Sequence, residues 1–202
     1  MDWKLVDVTK DTNHRFLNEY TLHYEVSMGD KTRPYDYFVA SRNEPTTLRS
    51  ITQDYSRPDG VVMCLYEIDS ATQEVSVLFT KQFRPALGAY MTSFPAGLLD
   101  PEDPDMLVAA KREAKEEAGV EIDDMEILAP ACPTSSGLSD ELDGFILARI
   151  VGKEEKKLED FEDISTRLVP LKDVPAMMKD PAYHIPLPVR LCLHYLLERF
   201  AR

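Results

Sequence analysis

Apolar and polar positions alternate over residues 15–28 (RFLNEYTLHYEVSM) and again over 35–42 (YDYFVASR), with MGDKTRP turning the chain between them. A period of two marks strands, so this opening stretch is expected to form a β-hairpin. Residues 61–68 (VVMCLYEI) and 75–83 (VSVLFTKQF) are runs of β-branched and apolar residues joined by DSATQE, the pattern of a second, buried hairpin. A short strand over 90–95 is expected to end at Pro95. The period then changes: Leu107, Ala110 and Ala114 recur at helical spacing, and the small alanines permit close approach to a sheet. Asp103 offers an N-cap, Pro104 the first helical position and Gly119 the residue just past the end, so a helix is predicted between them. Strands near 125–130 and 143–151 follow, then a short helix around 173–179 capped by Asp173. A C-terminal helix over 187–200 has Val189, Cys192, Leu193, Leu196, Leu197 and Phe200 on its apolar face. This order implies an α/β sandwich with a mixed sheet rather than a doubly wound parallel one. We divide it into an N-terminal β segment, 1–55, and a main domain, 56–202.

Composition changes this picture only at a few points. The 202 residues suffice for one well-cored domain and are few for two. The net charge is −13 and no long Lys/Arg run occurs, which argues against a nucleic-acid partner held through its phosphates. Acidic residues concentrate in 100–126, 139–143 and 154–163, where they repel one another unless cations or solvent compensate. Cys64, Cys132 and Cys192 match no metal or redox spacing and read as reduced thiols. No stretch is long and apolar enough to span a bilayer, and MDWKLVDVTKD lacks the apolar run of a signal peptide. A cytoplasmic location without a membrane partner is the expectation.

The chemistry concentrates on the predicted central helix. Glu113, Glu116 and Glu117 fall at i, i+3 and i+4 and share one face. Close carboxylates on one face are electrostatically costly unless they are simply solvated or hold divalent cations, and Mg²⁺ favours such hard oxygen ligands. Arg112, one turn before Glu116, can orient that carboxylate. Upstream, Gly97 in FPAGLLD permits a sharp turn, and a backbone carbonyl there could complete a cation site.

Gly97 followed by Arg112-Glu113-Ala114-Lys115-Glu116-Glu117-Ala118-Gly119-Val120 resembles the Nudix box, G-x5-E-x7-R-E-U-x-E-E-x-G-U, where U is a bulky aliphatic residue. The second half matches nearly throughout. The first half is one residue longer, and the pair Glu102-Asp103 replaces the isolated glutamate. The resemblance implies a Nudix α/β/α sandwich and a Mg²⁺-dependent hydrolase, with Mn²⁺ as the alternative ion. It implies cation binding by Glu113, Glu116, Glu117 and the Ala96 carbonyl, with Arg112 holding the carboxylates.

Further stretches resemble the branch that cleaves ADP-ribose and nucleoside diphosphate sugars. Lys81-Gln82-Phe83-Arg84-Pro85 is similar to its Q-x-R-P strand end and implies a substrate role for Gln82 and Arg84; a guanidinium suits a pyrophosphate. Ser136-Gly137-Leu138-Ser139-Asp140-Glu141 is similar to its S-P-G-x-x-x-E loop, matching at Gly137 and Glu141 but with Ser136 for the proline associated with ADP-ribose preference. The acidic stretch 159–164 stands where relatives supply the water-activating carboxylate, implying Glu162 first and Glu159 second. Tyr37 stands where relatives stack an aromatic on the nucleobase, and the N-terminal segment implies a homodimer. The expected reaction is hydrolysis of ADP-ribose or a related sugar nucleotide to a nucleoside monophosphate and a sugar phosphate. A dinucleotide or nucleoside triphosphate substrate remains open, as does a ligand sensor of the same fold that has lost catalysis.

Overall fold

The computed structural model describes residues 1–158 and 163–200. The chain divides into two compact units, one of Met1–Asp59 with Ala131–Asp143 and one of Gly60–Pro130 with Gly144–Arg202.

The first unit is built on a three-stranded antiparallel sheet ordered β1 (Asp2–Lys10), β2 (Asn18–Met28), β3 (Lys31–Ser41). Met28 pairs with Lys31, and Gly29 supplies the positive φ (62°) that so short a turn demands. The expected hairpin is therefore present, but with a further strand on its outer edge. A register shift between Leu5 and Asp7 breaks the alternation of β1, and most of its side chains stay exposed, which is why no strand was predicted there. Tyr20, Leu22, Val39 and Leu48 form the core of this unit. A single helical turn, α1 (Arg49–Thr52), follows the sheet. The loop of residues 133–141 docks on β3, where Ala40 N–H donates to the Leu138 carbonyl at 2.8 Å.

The second unit is the expected α/β/α sandwich around a mixed sheet. Its strands β4 (Gly60–Ile68), β5 (Val75–Arg84), β8 (Val120–Pro133), β9 (Leu142–Lys153) and β10 (Ile164–Pro170) lie in the order β10-β5-β4-β9-β8. Two short strands join them, β6 (Ala89–Ser93) on β5 and β7 (Ala96–Leu98) on β4. Alternation along the strands sends side chains to opposite faces. Val61, Met63, Leu65, Ile146 and Ala148 pack with α2 (Met106–Glu113) through Ala109 and Ala110, and with Ala114 just past its end, all three alanines fully buried. Cys64, Tyr66, Val77, Phe79 and Leu147 pack instead with α3 (Val174–Lys179) and α4 (Leu187–Arg199), through Val174, Met177, Val189, Cys192, Leu193 and Leu196. The strand β10 was not predicted, because its burial does not alternate and only its pairing with β5 holds it on the sheet. No helix among the described residues is long and apolar enough to cross a membrane.

The start of α2 differs from the expectation. Asp105, not Asp103, is the N-cap, accepting from Leu107 N–H at 2.8 Å and Val108 N–H at 3.0 Å. Asp103 is instead 6% exposed, with its carboxylate committed to Asp100 N–H and Arg112. At the other end the helix widens into a π turn, Ala114–Ala118, stopped by Gly119 at φ 66°.

Gly119 is closely covered: an added Cβ would lie 2.8 Å from Lys156 Cγ and 3.0 Å from the Glu154 carbonyl oxygen. Gly119→Ala is therefore expected to lower stability by about 1–2 kcal/mol through its left-handed backbone and this crowding. A lower urea midpoint at unchanged slope would be the signature, whereas a wild-type midpoint would contradict the crowding.

Candidate active site

The box residues gather around one guanidinium. Arg112 Nη1 donates to Glu113 Oε1 at 2.6 Å and Glu116 Oε2 at 3.1 Å. Its Nη2 donates to Asp103 Oδ2 at 2.8 Å and the Leu98 carbonyl at 3.0 Å, and Asp100 Oδ2 stands 3.4 Å away. Burial alone would lower the Arg112 pKa, but the hydrogen bonds from Asp103, Glu113 and Glu116 outweigh it and raise it further, so this residue is a permanent cation. It ties the turn after β7 to α2 and holds Glu113 and Glu116 on one side of the helix.

The glycine turn completes the arrangement. Pairing of Val61 with Gly97 fixes β7 on the sheet, and Gly97 faces the Glu113 carboxylate so closely that an added Cβ would fall 1.9 Å from Glu113 Cδ. Only glycine admits the carboxylate there. Glu117 is 7% exposed, and its Oε2 accepts the Ala96 N–H at 3.0 Å. Arg112 and the Ala96–Gly97 turn thus bring the three glutamates into one locality.

Hard oxygen donors and an excess of negative charge suit a divalent cation. One guanidinium cannot neutralise the carboxylates of Asp100, Asp103, Glu113 and Glu116 around it. No three His, Cys, Asp or Glu side chains among the described residues stand close enough to enclose an ion in this conformation. In this conformation Arg112 engages Glu113 and Glu116, while Glu117 accepts from Ala96 N–H. Arg112 takes one oxygen of Glu113 and one of Glu116, and the set of hard oxygen donors fits a divalent ion chemically.

The other expected residues are carried by other elements. Gln82 is half-buried in β5, flanked by Ile164 of β10 and Met91 of β6, and Arg84 is exposed at the end of β5. Tyr37, Gly137 and Glu141 belong to the first unit. There Tyr37 Oη donates to the Gly137 carbonyl at 2.9 Å, bringing those two together, and Glu141 pairs with Arg42 at 3.3 Å. Glu159 and Glu162, the expected water-activating carboxylates, lie outside the described residues.

Several polar residues of the first unit carried no local sequence signal. Arg49 is buried and pairs with Asp59, Nη1 to Oδ2 at 3.1 Å, while donating to the Asp140 and Arg57 carbonyls. Asp140 accepts from Arg49 N–H and Asn43, and Asp59 accepts from Leu142 N–H. This network draws the 133–141 loop onto the end of β3. It also encloses Asp143, whose pKa is lifted to about 6 by burial first and then by Glu141 and Asp59, with Arg42 opposing.

A carboxyl group with a raised folded-state pKa contributes stability when protonated, and this contribution is lost as pH rises through about 6. Asp143→Asn keeps the neutral form at every pH. It is expected to be more stable than the parent by about 1 kcal/mol at neutral pH, after allowance for solvent screening, with the gap closing toward pH 4. Urea titrations of both proteins across that range would read the gap, and a constant or reversed gap would contradict the assignment.

Comparison with known proteins bears on these elements. The NUDIX domain family model matches residues 57–187. The Arabidopsis thaliana protein Nudix hydrolase 14, chloroplastic, is 29% identical over 137 residues, which are 58% of this chain and 43% of that protein. This chain therefore spans less than half the length of that relative. The crystal structure of an ADP compounds hydrolase superposes with a TM-score of 0.71 at 15% identity, covering 100% of this chain and 95% of the other, and so shares the fold. With a family model matched across most of its length, from before β4 to the start of α4, and the box residues clustered on the glycine turn, the chain belongs to the Nudix family.

Proposed function

We propose that this protein is a Mg²⁺-dependent hydrolase of the pyrophosphate bond in ADP-ribose or a related nucleoside diphosphate sugar, releasing a nucleoside monophosphate and a sugar phosphate. The observation that carries this reading is the Arg112-centred cluster, in which Glu113, Glu116 and Glu117 meet the Ala96–Gly97 turn. The resemblance of Gln82, Arg84, Gly137 and Glu141 to the sugar-nucleotide branch supports the substrate class, and the protein of shared fold named an ADP compounds hydrolase agrees with it. Serine at position 136 keeps sugar nucleotides other than ADP-ribose within it.

Glu113, Glu116, Glu117 and the Ala96 carbonyl would hold Mg²⁺, or Mn²⁺ in its place. The bound ion would neutralise charge on the pyrophosphate oxygens as the P–O bond breaks. Arg112 orients Glu113 and Glu116 and resists deprotonation throughout. Arg84 would grip a substrate phosphate through its planar fork, with Gln82 beside it. Glu162, or failing it Glu159, would take the proton from the attacking water. In the first unit, Tyr37 would stack on the base while Gly137 and Glu141 shape the loop around it. The thiols are free, which suits a reducing cytoplasm. Exposed Phe16 and Phe38 offer the first unit an apolar surface for a homodimer, which a single-chain mass in analytical ultracentrifugation would disprove.

Purified protein incubated with Mg²⁺ and a panel of sugar nucleotides, dinucleotides and triphosphates, with chromatographic separation of products, tests the substrate class. Cleavage of triphosphates alone would move the chain out of this branch, and binding without turnover would make it a ligand sensor. Glu117→Gln retains an oxygen acceptor for Ala96 N–H and should leave the fold intact. It is expected to lower kcat by about a thousandfold. It should also lose the Mg²⁺-dependent rise in Tm that cation binding to the native state confers on the parent. Unchanged turnover would refute the role of this glutamate.

A further inference from the structure

The segment that follows β9 is fastened along the π turn that ends the acidic helix. Glu154 N–H donates to the Gly119 carbonyl at 2.8 Å, and Lys157 N–H donates to the Glu116 carbonyl at 3.0 Å. Lys115 adds an ion pair to Glu154 at 3.1 Å. Lys156 stands between these anchors. Its stem lies over Gly119, with Cγ 2.8 Å from where a Cβ would be, so the side chain sets out across the end of the helix.

The ammonium is fixed on the far side of that crossing. Lys156 Nζ donates to Thr166 Oγ1 of β10 at 2.6 Å. Thr166 lies opposite Thr80 of β5, and opposed residues of an antiparallel pair share a face. Thr80 alternates in step with Leu78 and Gln82, and Leu78 belongs to the core that packs on α2. The ammonium is therefore on the α2 face of the sheet, the face that also carries Gln82. Glu117 acts on it there: burial lowers the Lys156 pKa, and the Glu117 charge opposes that shift.

The neighbouring cations are already committed. Arg112 is divided among Asp103, Glu113, Glu116 and the Leu98 carbonyl, and Lys115 is taken by Glu154 and Glu121. Among the described residues, Lys156 has no carboxylate within ion-pair distance, and the oxygen it meets is a neutral hydroxyl. We infer that Lys156 is a substrate-binding residue that takes a non-bridging oxygen of the diphosphate, between Glu117 and the Gln82 end of β5. An ammonium is a compact charge with three donors, so it can keep Thr166 and still meet a phosphate oxygen. The assignment rests on the proposed function only for the ligand being a diphosphate, and its test needs no bond cleavage.

The probes are the α,β-methylene analogues of ADP, GDP and UDP, whose P–C–P bridge water does not cleave, with the matching nucleosides as phosphate-free counterparts. Calorimetry on the full-length protein with Mg²⁺ is expected to show Lys156→Met weakening the tightest-bound analogue by about tenfold, the loss of one charge-assisted hydrogen bond. Binding of the matching nucleoside should not change. Methionine keeps an unbranched stem over Gly119, so the variant should retain the parent Tm. Lys157→Met removes the same charge one residue away and is expected to leave analogue affinity within about twofold, which separates a contact from general attraction. Parent affinity in Lys156→Met, an equal loss in Lys157→Met, an equal loss for the nucleoside, or no saturable binding of any analogue by the parent would each overturn the inference. Analogue binding that depends on Lys156, in a protein that hydrolyses no sugar nucleotide, would uphold it while refuting the proposed hydrolase.

Discussion

A single guanidinium organises the second unit's acidic helix. Arg112 reaches back to Asp103 and the Leu98 carbonyl, and sideways to Glu113 and Glu116. Without it, like charges on neighbouring turns of α2 and on the turn before it would drive one another into solvent. With it, the carboxylates stay gathered but remain in excess, so the locality keeps the negative charge that a divalent ion would answer. The backbone around this residue is shaped to suit. Gly97 leaves room for the Glu113 carboxylate, and the fully buried alanines of α2 bring the helix close enough to the sheet for Glu117 to reach Ala96 N–H.

The first unit solves a similar problem differently. Its guanidinium, Arg49, is buried rather than half-exposed, and it draws Asp59 and the Asp140 carbonyl inward to fix the 133–141 loop. Burial, with Glu141 and Asp59 nearby, also lifts the pKa of Asp143. The same fixation leaves the buried Arg49 Nε without a protein partner. Rigidity and an unsatisfied donor are thus two results of one packing arrangement.

The chain itself determined the layers and the box. Near-continuous apolar runs in 61–68 and 75–83 dictated central strands, and small residues at helical spacing dictated a helix lying close on them. The spacing of Glu113, Glu116 and Glu117, with Arg112 before them and Gly119 after, by itself places the acids on one face. Such features are local, set by periodicity and by the conformational limits of single residues. The helix start was misplaced because Asp103 and Asp105 are equally good caps in isolation. Only the tertiary ion pair with Arg112 withdraws Asp103 from that role. The edge strands β1 and β10 were hidden for a related reason: a bulge scrambles the alternation of one, and the other is held by pairing rather than pattern.

Of the candidate site, the sequence supplied residue types and their order along one helix. It could not show that Tyr37 meets Gly137, a hundred positions away, or that Arg49 is buried with its guanidinium shared between Asp59 and the Asp140 and Arg57 carbonyls. Those facts depend on which distant segments pack together and on which hydrogen bonds are already taken when they do. Local periodicity encodes neither, so they were decided by the tertiary structure alone.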